Sequence, residues 1–410
     1  MNPDTPNIGF DAKRAVANGT GLGSYSRTLI NDLARYPLTL RLYAPDEGRD
    51  DLRTQIQDRD NVNFAYPHSS LLVPRSSFLL PPSSFLEKSL WRSHGIVADL
   101  LADGIQLYHG LSGELPIGIR KSGIPSVVTI HDLIFLRHPE YYHWLDTKIY
   151  AWKFRQTIRE ATHIIAISEC TRRDILHYAP ELDPARVSVI YQSCAPKFTP
   201  HSSLLTPPST LHTPHSSLHT PHSSLHTPPS SLKYILSVGT IEERKNILLA
   251  VKALETSLLP DDLHIVIIGR HTPYTDVVAR YAHDHGLEER VHILHGISDA
   301  ELPAYYAAAE AFVYPSRYEG FGIPIIEAIS CGLPVVACTG SCLEEAGGPD
   351  TLYVSPDDPQ AMAAAIAQVL KGAPGRDHRI LRSREYIRRF QGNDVAGQVY
   401  RLYLRLLNKE

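Results

Sequence analysis

The chain has 410 residues, 43% hydrophobic and 20% charged, with 40 Lys+Arg against 44 Asp+Glu. That length exceeds what one hydrophobic core usually supports, so two domains are expected. The slightly acidic balance excludes a typical nucleic-acid binder, no run reaches the ~18 apolar residues of a membrane span, and the polar start, Met1 to Ile8, lacks a signal pattern. A cytoplasmic location is expected. The five cysteines, Cys170, Cys194, Cys331, Cys338 and Cys342, include no Cys-x-x-Cys pair, so buried single thiols are expected rather than a disulfide framework.

In chain order, strands are predicted over Asn7–Asp11, Thr39–Tyr43, Gln106–His109, Ser126–Ile130, His163–Ile167 and Val187–Tyr191, with helices at Gly23–Arg35 and Thr147–Glu160 between them. The second half repeats the pattern: strands at Tyr234–Val238, His264–Ile268, Val291–His295, Ala311–Tyr314, Pro334–Ala337 and Leu352–Val354, and a helix at Asp299–Ala309. Ser298 and Glu301 are spaced as a capping box for that helix. Strand and helix alternating in each half predict two doubly wound parallel sheets, an α/β fold that binds ligands beyond the carboxyl ends of its strands.

Two tracts interrupt this pattern. Residues 67–85 and 200–232 repeat every seven positions, and a Pro in every unit blocks a helix. Both are read as expansions tolerated in surface loops. His212, His215, His219, His222 and His226 of the longer tract have metal-like spacing but no helix to align them. Asp58 and Asp60 read as a solvated turn, and His283 and His285 as the exposed end of a helix. No metal site is expected.

Four segments are candidates for chemistry. Ser316–Glu327 carries a strand into a Gly-rich turn and then a helix with Pro324 in its first turn. The N–H groups of Gly320, Phe321, Gly322 and Ile323, with the positive end of the helix, suit phosphate or hydroxyl oxygens. Glu319 and Glu327 are either two ligand-binding carboxylates or a cap and an acid near a helix start. Ser237–Asn246 is again strand then turn, with Arg244 and Lys245 adjacent. They are either cations that stabilise a leaving diphosphate or a solvated basic pair. His131 and Asp132 end a strand, so His131 either faces a ligand or is a satisfied loop histidine. Asn18–Tyr25 half-matches the dinucleotide fingerprint: Gly19 and Gly21 fit, but Ser24 stands where Gly or Ala is expected. A flexible loop using Gly21 and Gly23 near a sugar or phosphate fits better.

In this order and spacing, the segments resemble the retaining glycosyltransferases of family 4, the group 1 glycosyltransferases. The likeness takes in the Gly loop at 19–23, His131–Asp132, Ser168–Asp174, Val238–Asn246, Pro315–Glu327 and Cys331–Ala337. It implies the GT-B arrangement, two facing Rossmann-like halves with a cleft between them. Residues 1–199 would be the acceptor side, 200–232 a linker, 233–392 the nucleotide-sugar domain, and 393–410 a helix returning to the first half. By the same resemblance Arg244 and Lys245 bind the donor diphosphate, Glu327 the ribose, Glu319 and residues 320–323 the donor sugar, and His131 the reaction centre. Tyr191–Phe198 departs from the family's usual turn. The run His131–Tyr142 is similar to that of bacterial mannosyltransferases acting on surface polysaccharides. That implies GDP-mannose as donor, with a UDP-sugar second, no metal or other cofactor, and a glycan or lipid-linked acceptor. The Arg-rich stretch Arg376, Arg379, Arg382, Arg384, Arg388 and Arg389 is either a solvated face or a peripheral contact with anionic lipid at the inner membrane face. The rival readings are a nucleotide-sugar epimerase, an inactive sugar-nucleotide-binding subunit of a transferase complex and a nicotinamide-dependent oxidoreductase.

Overall fold

The computed structural model describes residues 5–67, 85–193, 198 and 232–409. Residues 68–84 and 199–231, which make up nearly all of both proline repeats and hold the histidines of the longer one, lie outside the described residues, as does Cys194. The chain divides into two compact units, one formed by residues up to Gln192 together with those from Asn393 onward, the other by Ser193–Gly392.

The first unit is a seven-stranded sheet: β1 (Asn7–Asp11), β2 (Thr39–Tyr43), β3 (Val62–Ala65), β4 (Leu107–Gly110), β5 (Ser126–Ile130), β6 (His163–Ala166) and β7 (Val187–Val189). Its order is β3-β2-β1-β4-β5-β6-β7, and every pairing is parallel. The second unit has β8 (Tyr234–Val238), β9 (His264–Ile268), β10 (Val291–Leu294), β11 (Ala311–Tyr314), β12 (Val335–Cys338) and β13 (Leu352–Val354). Its order is β10-β9-β8-β11-β12-β13, also all parallel. The expected pair of doubly wound sheets is therefore present. Each sheet has one switch point, where consecutive connections leave in opposite directions: β1/β4 in the first unit and β8/β11 in the second. Such a point leaves a crevice above the strand ends.

The central strands β4, β5, β6, β11 and β12 are buried along their whole length. This is why they read as continuous apolar runs rather than alternating ones. Strand β3 was not predicted. It is a sheet edge with a half-exposed pattern and Asn63 in its middle, so its apolar signal is weak. The expected helix at Gly23–Arg35 spans Gly21–Leu33, and a short helix, Lys13–Ala17, lies between it and β1. Ser298 and Glu301 make the capping-box contacts, Ser298 N–H to the Glu301 carboxylate at 2.8 Å and the reverse bond at 3.4 Å, but the helix itself begins only at Leu302.

The first unit ends at Gln192, short of the expected 199. Phe198 belongs to the second unit, its ring edge-on to Tyr306 at 5.6 Å. The final helix, Val395–Leu406, packs into the core of the first unit. Ala396, Val399, Leu402 and Tyr403 are buried there among Ile8, Leu29 and Leu33. Asp394 caps it by accepting the Gly397 N–H at 2.7 Å. No helix among the described residues is long and apolar enough to cross a membrane.

Candidate active site

The two charged turns of the second unit lie at its switch point. Strands β8 and β11 are neighbours, so the turns leaving them meet although about seventy positions separate them in sequence. Arg244 and Lys245 sit on a short 3-10 turn, their side chains only 14% and 18% exposed. They are not a solvated pair. Both reach Glu319: Lys245 Nζ lies 2.5 Å from Oε1, and Arg244 Nη1 lies 3.1 Å from Oε2. Ser316 and Tyr314 donate to the same Oε1 at 2.6 and 3.2 Å.

Burial alone would raise the Glu319 pKa, but Lys245 and Arg244 outweigh it and hold the carboxyl at about 2. Burial likewise opposes the charge on Lys245, and Glu319 overcomes that, so its pKa ends above the ordinary lysine value. All three groups are ionised at neutral pH. Arg244 also pairs with Glu242 at 2.7 Å, which makes this four-residue cluster formally neutral. Its donors are not exhausted. An ammonium has three and a guanidinium five. Lys245 spends two, on Tyr314 and Glu319. Beside it opens a hollow lined by Gly239, Thr240, Ile241, Lys245, Ile267 and Tyr314.

The Gly-rich turn after β11 takes the expected course into a helix, Ile323–Ser330. Its cap is Gly322 at φ 107°, a conformation open to glycine at little cost. Pro324 stands in the first turn, and no side chain caps the helix start. The Phe321 ring is buried against Phe390. Glu327 lies one turn further on. It accepts the Tyr306 hydroxyl at 3.0 Å.

In the first unit, His131 follows β5, next to the switch-point strand β4. Its Nε2 faces the Leu111 carbonyl at 3.0 Å and therefore carries the proton; Nδ1 accepts from the Gln192 amide at 3.2 Å. Tyr25 meets the ring edge-on at 4.7 Å. Burial lowers the His131 pKa to about 4, so the ring is neutral at physiological pH. Asp132 accepts the N–H of Ile134, the first residue of the short helix Ile134–Arg137, at 3.2 Å. The Ser168–Asp174 segment supports the same place: Ser168 caps its helix and Thr171 Oγ1 donates to the His131 carbonyl at 3.2 Å.

Sequence reasoning missed a buried chain beneath His131. Tyr25 Oη, Thr129 Oγ1, His109 and Tyr403 Oη are linked at 3.3, 2.9 and 2.5 Å. No motif joins these residues; the sheet order and the returning helix bring them together. Burial lowers the His109 pKa to about 3. Both histidines have folded pKa values below the unfolded value of about 6.5. The stability they contribute is therefore complete above pH ~6.5 and is lost as pH falls toward 4 and 3. Glu319 acts lower, between about 4.5 and 2. From pH 6.5 to 5, His109 alone should cost the first unit about 2 kcal/mol. All three tryptophans, Trp91, Trp144 and Trp152, lie in that unit, so urea titrations followed by Trp fluorescence isolate it. The midpoint should fall over this range in the wild type and by a smaller amount in His109→Asn, the remainder coming from His131 and from His163, which burial also lowers to about 4.

The Gly loop is not a flexible loop. Gly21 and Gly23 are in the first turn of the helix Gly21–Leu33. A Cβ on Gly23 would lie 1.7 Å from the Asn18 carbonyl oxygen, so close packing requires this glycine; at Gly21 nothing lies within 4 Å. The Arg-rich stretch is likewise mostly engaged. Arg376 donates to the Val369 and Glu310 carbonyls, Arg379 to that of Asp350, and Arg382 pairs with the Asp350 carboxylate. Asp58, Asp60, His283 and His285 are exposed, as expected. Cys170, Cys338 and Cys342 are buried and Cys331 is half-buried, none of them in a disulfide.

Two doubly wound parallel-sheet units, with an ionic cluster and a Gly-rich helix start at the switch point of the second, have the architecture of the GT-B fold class. The chain matches the family description Glycosyltransferase Family 4 over residues 19–194 and that of Glycosyl transferases group 1 over residues 223–386. It belongs to the group 1, family 4 glycosyltransferases. It is 29% identical over 302 residues to O-antigen chain mannosyltransferase B of Escherichia coli, covering 72% of this chain and 74% of that one. It is 26% identical over 242 residues to O-antigen chain mannosyltransferase RfbU of Salmonella typhimurium, covering 59% of this chain and 60% of that one. Among solved structures, sucrose-phosphate synthase from Thermosynechococcus elongatus shares the fold, with a TM-score of 0.72 at 19% identity over 99% of this chain and all of the other.

Proposed function

We propose that this glycosyltransferase moves mannose from GDP-mannose to a glycan or lipid-linked oligosaccharide of a surface polysaccharide, with retention at the anomeric carbon and without a metal ion. The observation that carries the reading is the cluster of Arg244, Lys245 and Glu319 at the β8/β11 switch point, beside an uncapped helix start. The two named mannosyltransferases support the choice of sugar.

In the proposed reaction the donor diphosphate lies against Lys245 and Arg244, which still have N–H groups to give. The bond from C1 of the sugar to the diphosphate oxygen breaks, and positive charge builds on the sugar ring. The leaving oxygen's negative charge is met by the two cations and the N–H groups of residues 320–323, fixed dipoles that need no reorganisation. The acceptor hydroxyl forms its bond to C1 from the face the diphosphate leaves. Its proton passes to a leaving phosphate oxygen. Glu319, held ionised by its cations, fixes their positions and accepts a sugar hydroxyl on its second oxygen. Glu327 accepts from the ribose. His131 is neutral, with its ring held at both nitrogens within the first unit.

The reading is tested by thermal unfolding with GDP, UDP, ADP and TDP, each with and without EDTA. A ligand at 100 times its Kd stabilises by about 2.7 kcal/mol when it binds the folded state only. GDP alone should raise the melting temperature, equally in EDTA, and the transferred mannose should keep its anomeric configuration by NMR. A shift with UDP alone replaces the donor, and an EDTA-sensitive shift overturns the metal-free site.

A further inference from the structure

The helix Trp144–Glu160 has one buried face, formed by Phe154, Thr157 and Ile158. Its opposite face is unusual for a protein surface. Trp144 is 62% exposed, Leu145 47%, Ile149 42% and Trp152 50%. Helical spacing stacks Trp144, Lys148 and Trp152 in one row and Leu145 and Ile149 in the next. The row continues past Trp152 to Arg155 and Arg159, both exposed. Lys148 lies 5.0 Å over the Trp144 ring. No ion pair among the described residues neutralises Lys148, Arg155 or Arg159. Of the acids on this helix, Glu160 is spent on the N–H groups of Gly118 and Arg120, and Asp146 falls outside the stripe at two positions from Trp144. Four large apolar side chains and three uncompensated cations thus share one face about 25 Å long.

We infer that this face docks on the anionic surface of a lipid bilayer. Trp is the side chain that settles at headgroup depth, with an apolar ring and a polar N–H. Lys and Arg alternating with it meet the headgroup phosphates while their stems lie along apolar surface. A helix of this kind lies in the plane of the interface and does not span it. A second copy of the chain is the weaker occupant. A two-fold contact sets the same patch on itself and would oppose like charges. The Arg-rich stretch 376–389, read as either a solvated face or a lipid contact, is the weaker candidate for this surface, because most of its arginines are engaged within their own unit. The inference deepens the proposal of a lipid-linked acceptor, but its test reads binding and not turnover, so either can fail alone.

The test is sedimentation of the full chain with vesicles of phosphatidylglycerol and phosphatidylethanolamine, and with vesicles of phosphatidylcholine alone. The protein should follow the anionic vesicles, less so as salt rises, and Trp emission should shift to the blue. Trp91 is buried and should contribute little to that shift. The double variant Trp144→Ser/Trp152→Ser should bind at least about tenfold more weakly, and Lys148→Glu/Arg155→Glu should lose the salt dependence. Neither should move the melting temperature, because these side chains are exposed. Equal vesicle binding by the Trp variant and the wild type would overturn the inference. So would a wild-type dimer in the absence of lipid that the Trp variant converts to a monomer, which would assign the face to a second copy.

Discussion

Lys245→Ala should lower kcat/KM by about 10²–10³-fold, the range seen when one preorganised charge-stabilising group is removed from a transition state. The loss should fall mainly on kcat, because the leaving diphosphate gains its charge only as the bond breaks. The fold should survive. Without Lys245, Glu319 keeps Arg244 at 3.1 Å and the hydroxyls of Ser316 and Tyr314 at 2.6 and 3.2 Å. Its carboxylate stays satisfied, so the stability cost should be about 1–3 kcal/mol, that of one charged hydrogen bond. Steady-state kinetics and a melting curve on the same preparation separate the two effects. Turnover at the wild-type rate would remove Lys245 from the reaction.

Gly23→Ala should be the most destabilising single methyl added to the first unit's helix start. The new Cβ meets the Asn18 carbonyl oxygen at 1.7 Å and the Arg14 carbonyl oxygen at 2.9 Å. These are backbone atoms and cannot swing aside. Relief requires the short helix Lys13–Ala17 to shift off the helix Gly21–Leu33, and overpacking of this kind costs about 1–3 kcal/mol or more. Gly21→Ala, two positions earlier, meets nothing within 4 Å and should hold or slightly raise stability, since Gly is the poorer helix former by about 1 kcal/mol. Urea unfolding followed by Trp emission reads both variants. If the two behave alike, the close approach at Gly23 is not what the residue is for.

The site was partly legible in the sequence, and the reason differs from residue to residue. Arg244, Lys245 and Glu319 each stood out in a strand-turn motif. Nothing in their spacing said that they bond to one another, because that follows from β8 lying beside β11 rather than from any local pattern. The sequence alone left the basic pair open to a solvated reading; burial of both side chains closes it. Gly21 and Gly23 looked equivalent as members of one Gly loop, yet only the second is pressed against backbone. His131 was legible as a strand-end residue, whereas its partner Gln192 is 61 positions away and His109–Tyr403 is 294. The fold was easier, since buried parallel strands leave uninterrupted apolar runs. It failed at β3, where an edge strand shows half its surface to water and the run breaks at Asn63.

The returning C-terminal helix has a bearing on synthesis. The first unit's core takes Val399 and Leu402 from the last part of the chain, each burial contributing about 1.5–3 kcal/mol, and Tyr403 closes the hydrogen-bond chain to His109. A ribosome delivers residues 232–392, the second sheet and its ionic cluster, before it delivers these. The unit that begins first is thus completed last. Until the final turns emerge, the nascent protein holds a finished second domain and an open first one, with Ile8, Leu29 and Leu33 uncovered, and a message that stops early would leave that gap permanent.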